Sequence, residues 1–326
     1  MQPSRVVLAE EKPMRRSLRT IAPPLRIGAL LALVALGLAG APRAHAASGE
    51  AGFAFLKIGV GARAMGMGSA FVAVADDPTA LHWNPAGLAS GHEGIRLTAM
   101  HNEWLDDFRQ EYAAVSGPLG PGTFGASFTG FYTSELERRD ETGVLTGHFG
   151  FNDIAATLGY GVNVAPGAAA GLSVRYIREM IADESASSIA FDLGGRYAVG
   201  ISGLSLGAAV QNVGGQAKFV AESFPLPLTI RGGAAYRREI KAVQGTGLIS
   251  TEFRKARGEE SRFHLGGEYA YHDWLAFRTG AKFGYDDQDL SFGLGITRGA
   301  IAFDYALLPI GANLGSSHLF SISAKL

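Results

Sequence analysis

The chain has 326 residues, 45 of them glycine and none cysteine, with 47% apolar and 18% charged side chains and a net charge of −1. Without cysteine there are no disulfides or thiolate metal sites, and without a basic excess nucleic acid is not an expected partner. So much glycine with so little charge fits neither a helical enzyme nor a disordered chain, and suits many glycine-containing strands.

The first element is a targeting segment. Arg15, Arg16, Arg19 and Arg26 precede the apolar run 27–40, and Ala44-His45-Ala46 forms a small-x-small cleavage site, the three parts of a Sec-type signal peptide over residues 1–46. The basic stretch is long, which makes Met14 an alternative start to Met1. The apolar run is shorter than the roughly 20 residues of a membrane-spanning helix. Residues 1–46 hold seven of the 29 basic and two of the 30 acidic side chains, so the rest of the chain carries a net charge of −6.

Residues 47–93 form a second unit, rich in glycine and irregular in pattern. Asp77-Pro78 and Asn84-Pro85 each place a capping side chain before a proline, which opens a short helix. Every backbone group in lipid must be paired, so a segment this irregular is expected inside a barrel, as a hatch. Its notable positions are Gly61, Arg63, Gly66, Gly68, Asp76, Asp77, Pro78, Trp83, Asn84, Pro85, Ala86 and Gly87. Phe53, Phe55, Met65, Met67 and Phe71 are candidates for an apolar ligand pocket.

From residue 94 to 326 apolar side chains recur at every second position over segments of about ten residues, the length that crosses a bilayer as a tilted strand. Fourteen strands are expected, near 94–101, 110–117, 122–132, 152–163, 168–178, 187–199, 204–212, 228–237, 247–255, 262–271, 275–283, 289–297, 299–308 and 317–326. Alternation alone does not separate a soluble sandwich from a membrane barrel. Connection lengths do: long and short ones alternate, with only 238–246 out of step, as in an up-and-down outer-membrane barrel whose two ends are periplasmic. The longest external loops fall at 133–151 and 213–227, and Tyr132, Tyr176, Tyr236, Tyr271, Trp274 and Tyr285 are placed for interfacial girdles. Facing inward are Asp192, Arg196, Arg231, Glu268, Arg278, Lys282, Asp304 and Lys325, which either select a substrate or pair with one another.

Enzymatic signals are weak. Gly61 to Gly68 lacks the flanking strand, helix and Lys-Ser/Thr of a phosphate loop. Asp76 and Asp77 are better placed to cap than to bind a cation, and the histidines are scattered without metal spacing or a nucleophile motif. No cofactor and no catalytic residue are assigned.

The run GARAMGMGSAFVAVADDPTALHWNPAGLA resembles the N-terminal signature of the PorV/PorQ family of outer-membrane proteins, related to the FadL family of long-chain fatty-acid transporters. GLSLGAAVQNVGG at 203–215, PLPLTIRGGAAY at 225–236 and FDYALLPIGANLGSSHLFSIS at 303–323 extend the resemblance over the chain after the signal segment. It implies a fourteen-strand barrel with a hatch that includes Asn84, Pro85 and Ala86. It also implies either an accessory role in type IX-like secretion, with secretion-apparatus proteins or exported cargo as partners, or FadL-like passive uptake of a hydrophobic small ligand. A barrel with a purely structural role is the third reading. One departure from many such barrels is the last residue, Leu326, where an aromatic is common.

Overall fold

A computed structural model describes residues 51–91, 93–105, 107–219, 222–285, 290–311 and 315–326. The signal-peptide expectation lies outside the described residues.

The strands are β1 (Arg96–Glu103), β2 (Arg109–Leu119), β3 (Gly122–Arg139), β4 (Leu145–Ala165), β5 (Ala168–Ile181), β6 (Glu184–Ala198) and β7 (Leu204–Gly214). After them come β8 (Gln216–Phe219), β9 (Glu222–Pro225), β10 (Thr229–Ile240), β11 (Gly245–Ala256), β12 (Ser261–Tyr271), β13 (Leu275–Phe283), β14 (Leu290–Arg298), β15 (Ile301–Pro309) and β16 (Ser316–Lys325). All but β8 and β9 form one closed antiparallel barrel of fourteen strands, sealed where Arg96 to Glu103 of β1 pairs with Lys325 to His318 of β16. Closure leaves no sheet edge, which lets the wall stand in lipid.

The pleat sorts the side chains as the alternation foretells. Phe263, Phe277, Phe292, Leu294, Ile296 and Phe303 are exposed on the outside, while His264, Glu268, Arg278, Lys282 and Ser291 are buried on the inside. A continuous apolar exterior over a polar interior is the inverse of a soluble barrel, and makes this an outer-membrane β-barrel.

One rim carries the chain end at Leu326 and the short connections 120–121, 166–167, 199–203, 241–244, 272–274 and 299–300; we call it the turn rim. The anomaly at 238–246 disappears, because β10 and β11 extend to Ile240 and Gly245 and leave a tight 3-10 turn, Lys241–Val243. The opposite, loop rim departs from expectation. Most of the 133–151 "loop" is strand: β3 and β4 run 18 and 21 residues, well beyond the roughly ten needed to cross a bilayer, and pair out to Arg139 and Leu145. The 213–227 loop contains the β8–β9 hairpin, with Gln216 opposite Pro225. The two-residue period marks only the bilayer-crossing part of these strands, because the outer part of β4 is at least partly exposed on both faces.

Of the girdle candidates, Tyr176, Tyr236 and Trp274 are exposed on the outside. Tyr285 instead turns inward, where the Arg262 guanidinium lies 3.9 Å from its ring centre.

Candidate functional site

The lumen holds residues 51–91. The segment runs from the loop rim, where the Phe53 amide donates to Glu179 at the end of β5 (3.1 Å), to the turn rim, where Arg196 donates to Ser90 (2.7 Å). It contains helical turns at Ala54–Lys57, Ala62–Gly66, Ala80–Trp83 and Pro85–Gly91. Each Asx-Pro pair makes a local hydrogen bond, the Thr79 amide donating to Asp77 Oδ1 (2.8 Å) and the Ala86 amide to Asn84 Oδ1 (3.1 Å), although the helix Ala80–Trp83 has Thr79 as its N-cap and no side-chain cap.

Irregular backbone at this depth needs partners, and the wall supplies them. Ser321 accepts from the Ala62 amide, Ser291 from Gly68, and Glu252 Oε2 from both Phe71 and Val72 (2.9 and 2.8 Å). Segment carbonyls are met in turn by Ser250 at Ala70, Arg96 at Asp76, Tyr112 at Pro78, Arg175 at Leu81 and Gln211 at His82. The wall's inward polar residues therefore serve mainly to hold the segment.

Wall glycines explain how the backbone comes so close. Gly161, Gly171 and Gly194 are direct cross-strand partners on β4, β5 and β6, a side-chain-free trough in which Pro85 and Ala86 sit. A Cβ on Gly171 would lie 2.2 Å from the Pro85 carbonyl carbon. Gly280 is likewise pressed by Gly68, where an added Cβ would stand 2.0 Å from the Gly68 nitrogen. Much of the glycine that first suggested strands is thus required by the segment inside them.

The charges form paired networks. Arg63 binds Glu268 with two bonds (2.8 and 3.0 Å) and Asp76 with a third (2.7 Å); Glu268 also holds Arg278, which holds Asp304 (both 2.7 Å). Burial alone would lower the Arg63 pKa, but Asp76 and Glu268 outweigh it and raise it, so this guanidinium stays charged. The Asp77 carboxyl is raised, by burial first and by Asp76 second, against Arg63. Asp192 pairs with Arg175 (3.0 Å), and Arg231 with Glu252 (2.5 Å). Lys325 differs from the expectation of a lumen charge. It lies exposed at the turn rim, 3.5 Å from Glu93, because the last residues of β16 project past the barrel interior.

Arg175, Glu252 and Arg254 were not singled out from sequence. Their signal was present: Glu252 and Arg254 share the parity of Ser250, opposite to the outward Ile249.

The five apolar candidates do not form one pocket. Met65, Met67 and Phe71 belong to the core around Trp83 and Leu81, whereas Phe53 and Phe55 join Phe131, Ile177 and Leu226 at the loop rim. All five are at most 2% exposed; of them Met65 lines a lumen cavity and Phe55 a small inner chink, and the others fill space.

The larger hollow lies outside. A groove of about 970 Å³ crosses the lipid face of β16 and β1 to β6, over a floor of Ala99, Ala113, Ala126 and Ala156 and between walls that include Leu97, Val115, Phe128, Leu158 and Tyr176. Two of its lining residues, Ser127 and Thr157, are cross-strand partners and also line a small inner chink of about 10 Å³ beside Phe55, Leu56 and Tyr112. Only one layer of small side chains separates the groove from the inner segment. A second cavity, about 250 Å³, lies within the lumen toward the loop rim, lined by Trp83, Trp104, Tyr285 and several cations.

A closed fourteen-strand barrel with a folded N-terminal segment in its lumen defines the class: an outer-membrane β-barrel with an internal segment. Within it, the chain belongs to the Uncharacterised protein family (UPF0164), whose model matches residues 32–210. No curated protein matches. Solved structures similar to this chain include the Ralstonia pickettii toluene transporter TbuX (TM-score 0.60, 16% identity, 82% of this chain and 98% of that one). They also include the CymD monoaromatic hydrocarbon channel (0.59, 13%, 82% and 98%) and the Pseudomonas putida toluene transporter TodX (0.56, 12%, 81% and 97%). At these identities the likeness concerns the fold.

Proposed function

We propose that this protein passes hydrophobic small molecules across the bacterial outer membrane, with segment 51–91 as a plug and the outer groove as the lateral exit into lipid. The observation that carries this reading is the apolar groove backed by Ser127 and Thr157, which line both the groove and the inner chink beside Phe55 and Leu56. A hydrophobic solute leaving sideways avoids the charged networks of the lumen, where desolvated polar groups would penalise it. The names of the similar barrels, toluene transporters and a monoaromatic hydrocarbon channel, support the substrate class. The test is transfer of a monoaromatic hydrocarbon into proteoliposomes. Filling the groove with Ala113→Trp and Ala156→Phe should slow transfer and leave ion conductance unchanged; an undiminished rate would remove the lateral exit.

Secretion accessory of the PorV/PorQ type is the second proposal. It rests on the N-terminal run and on the β3–β4 ladder, which extends past the bilayer and offers strand surface to a partner. Removing 136–148 should then abolish surface display of exported cargo while hydrocarbon transfer persists.

A further inference from the structure

The lumen cavity at the loop rim has a charge pattern that neither reading uses. Arg231 on β10, Arg254 on β11 and Arg262 on β12 stand directly opposite one another in the cross-strand register. Like charges placed so are mutually destabilising. Lys282 on β13 and Lys57 on the inner segment line the same cavity, bringing the cations to five.

Among the described residues two carboxylates face Arg231, Arg254, Arg262 and Lys57. Glu252 is committed to Arg231 and to the Phe71 and Val72 amides. Glu259 sits at the rim, 2.8 Å from Lys57, 2.9 Å from Arg254 and 3.4 Å from Arg262. Those four cations against these two carboxylates leave a surplus of two positive charges among the described residues. Arg254 is the telling residue. Its side chain is 4% exposed, and while Nη1 donates to Glu259, Nε and Nη2 have no partner among the described residues; nor has Arg262 Nε. Buried guanidinium N–H groups without acceptors are costly, and their fork geometry matches the oxygens of an oxyanion.

We propose that this cavity binds a phosphate group, a dianionic tetrahedral oxyanion carried by inorganic phosphate or by a small phosphate monoester. A dianion offsets more of the surplus than a monocarboxylate and presents acceptors to several strands at once. The cavity, about 250 Å³, also has room beside the anion, walled by Trp83, Trp104 and Tyr285, whose faces suit the organic part of an ester. The inference is independent of the lateral route, which lies on the other side of the inner segment.

The test is isothermal titration of the full-length protein in phosphate-free detergent with inorganic phosphate, phenyl phosphate and benzoate. Both phosphates should saturate at one per barrel, with benzoate weaker by at least about tenfold. Arg254→Gln should weaken phosphate by at least about tenfold, the loss of one charge-assisted hydrogen bond, with unchanged heat-modifiable migration and hydrocarbon transfer. Arg262→Gln, at a more accessible position, serves if Arg254→Gln misfolds. Tighter phenyl phosphate identifies the ester as occupant, and equal affinity identifies the free ion. No saturable phosphate binding, equal binding of benzoate, or undiminished binding in the variants overturns the proposal.

Discussion

Asn84→Ala should loosen the inner segment at its seat without unfolding the barrel. From the cap alone the cost is about 0.5 to 2 kcal/mol. The structure raises it, because the Asn84 side chain is wholly buried and its Nδ2 also donates to Val72 O (2.8 Å) and Gly195 O (3.1 Å). One lost cap and two carbonyls deprived of a donor, one buried and one part-buried, at about 1 kcal/mol each, give about 3 kcal/mol. That is roughly a 100-fold rise in the open population of 85–91. Asn84→Asp keeps the acceptor for Ala86 but loses both donated bonds and buries a charge, so it should be at least as damaging. Hydrogen exchange of the amides in 80–91 measures the opening, while heat-modifiable migration reports the barrel, which stands on its own ladder. If exchange there changes less than about twofold in Asn84→Ala, the side chain does not hold the seat and the summation fails.

Gly171→Ala places a methyl group inside the Pro85 carbonyl, so the seat must shift at about 1 to 3 kcal/mol, seen as faster exchange of 85–91 and raised conductance in planar bilayers. Leu294→Arg on the lipid face should cost about 2 to 4 kcal/mol in reversible unfolding from liposomes, whereas Leu294→Met should be nearly neutral. Gly295→Ser is not the mild inward control its position suggests, since an added Cβ would lie 2.5 Å from Asp304 Oδ1. Deleting 51–90 should leave an inserted barrel with higher conductance; an inserted barrel as closed as the full chain would show that the segment is no plug. The Glu259 carboxyl is held below the usual range: burial alone would raise it, but Arg254, Lys57 and Arg262 prevail. Its depressed folded pKa means that its stabilisation is present above the ordinary carboxylate pKa and lost as pH falls through the folded value. Exchange of 54–58 should therefore quicken on acidification, and Glu259→Gln should flatten that dependence.

The strand period of two and the in/out assignment were legible in the sequence because each is a local pattern repeated in every barrel strand; the strict alternation of connection lengths was not, since the connection expected to be long at 179–186 is a two-residue turn, 182–183, between β5 and β6. The local turns at Asp77 and Asn84 were legible too, where a side chain and the amide two residues on suffice. Partnerships between distant positions were not. The Gly161–Gly171–Gly194 trough, the seating of Phe71 and Val72 on Glu252 and the splitting of Phe53 and Phe55 from Met65, Met67 and Phe71 depend on strand register and on the path of the segment through the lumen. The opposed arginines at 231, 254 and 262 show the difference most sharply. Each is an ordinary inward residue on its own strand, and only the register of three strands makes them a single field of positive charge.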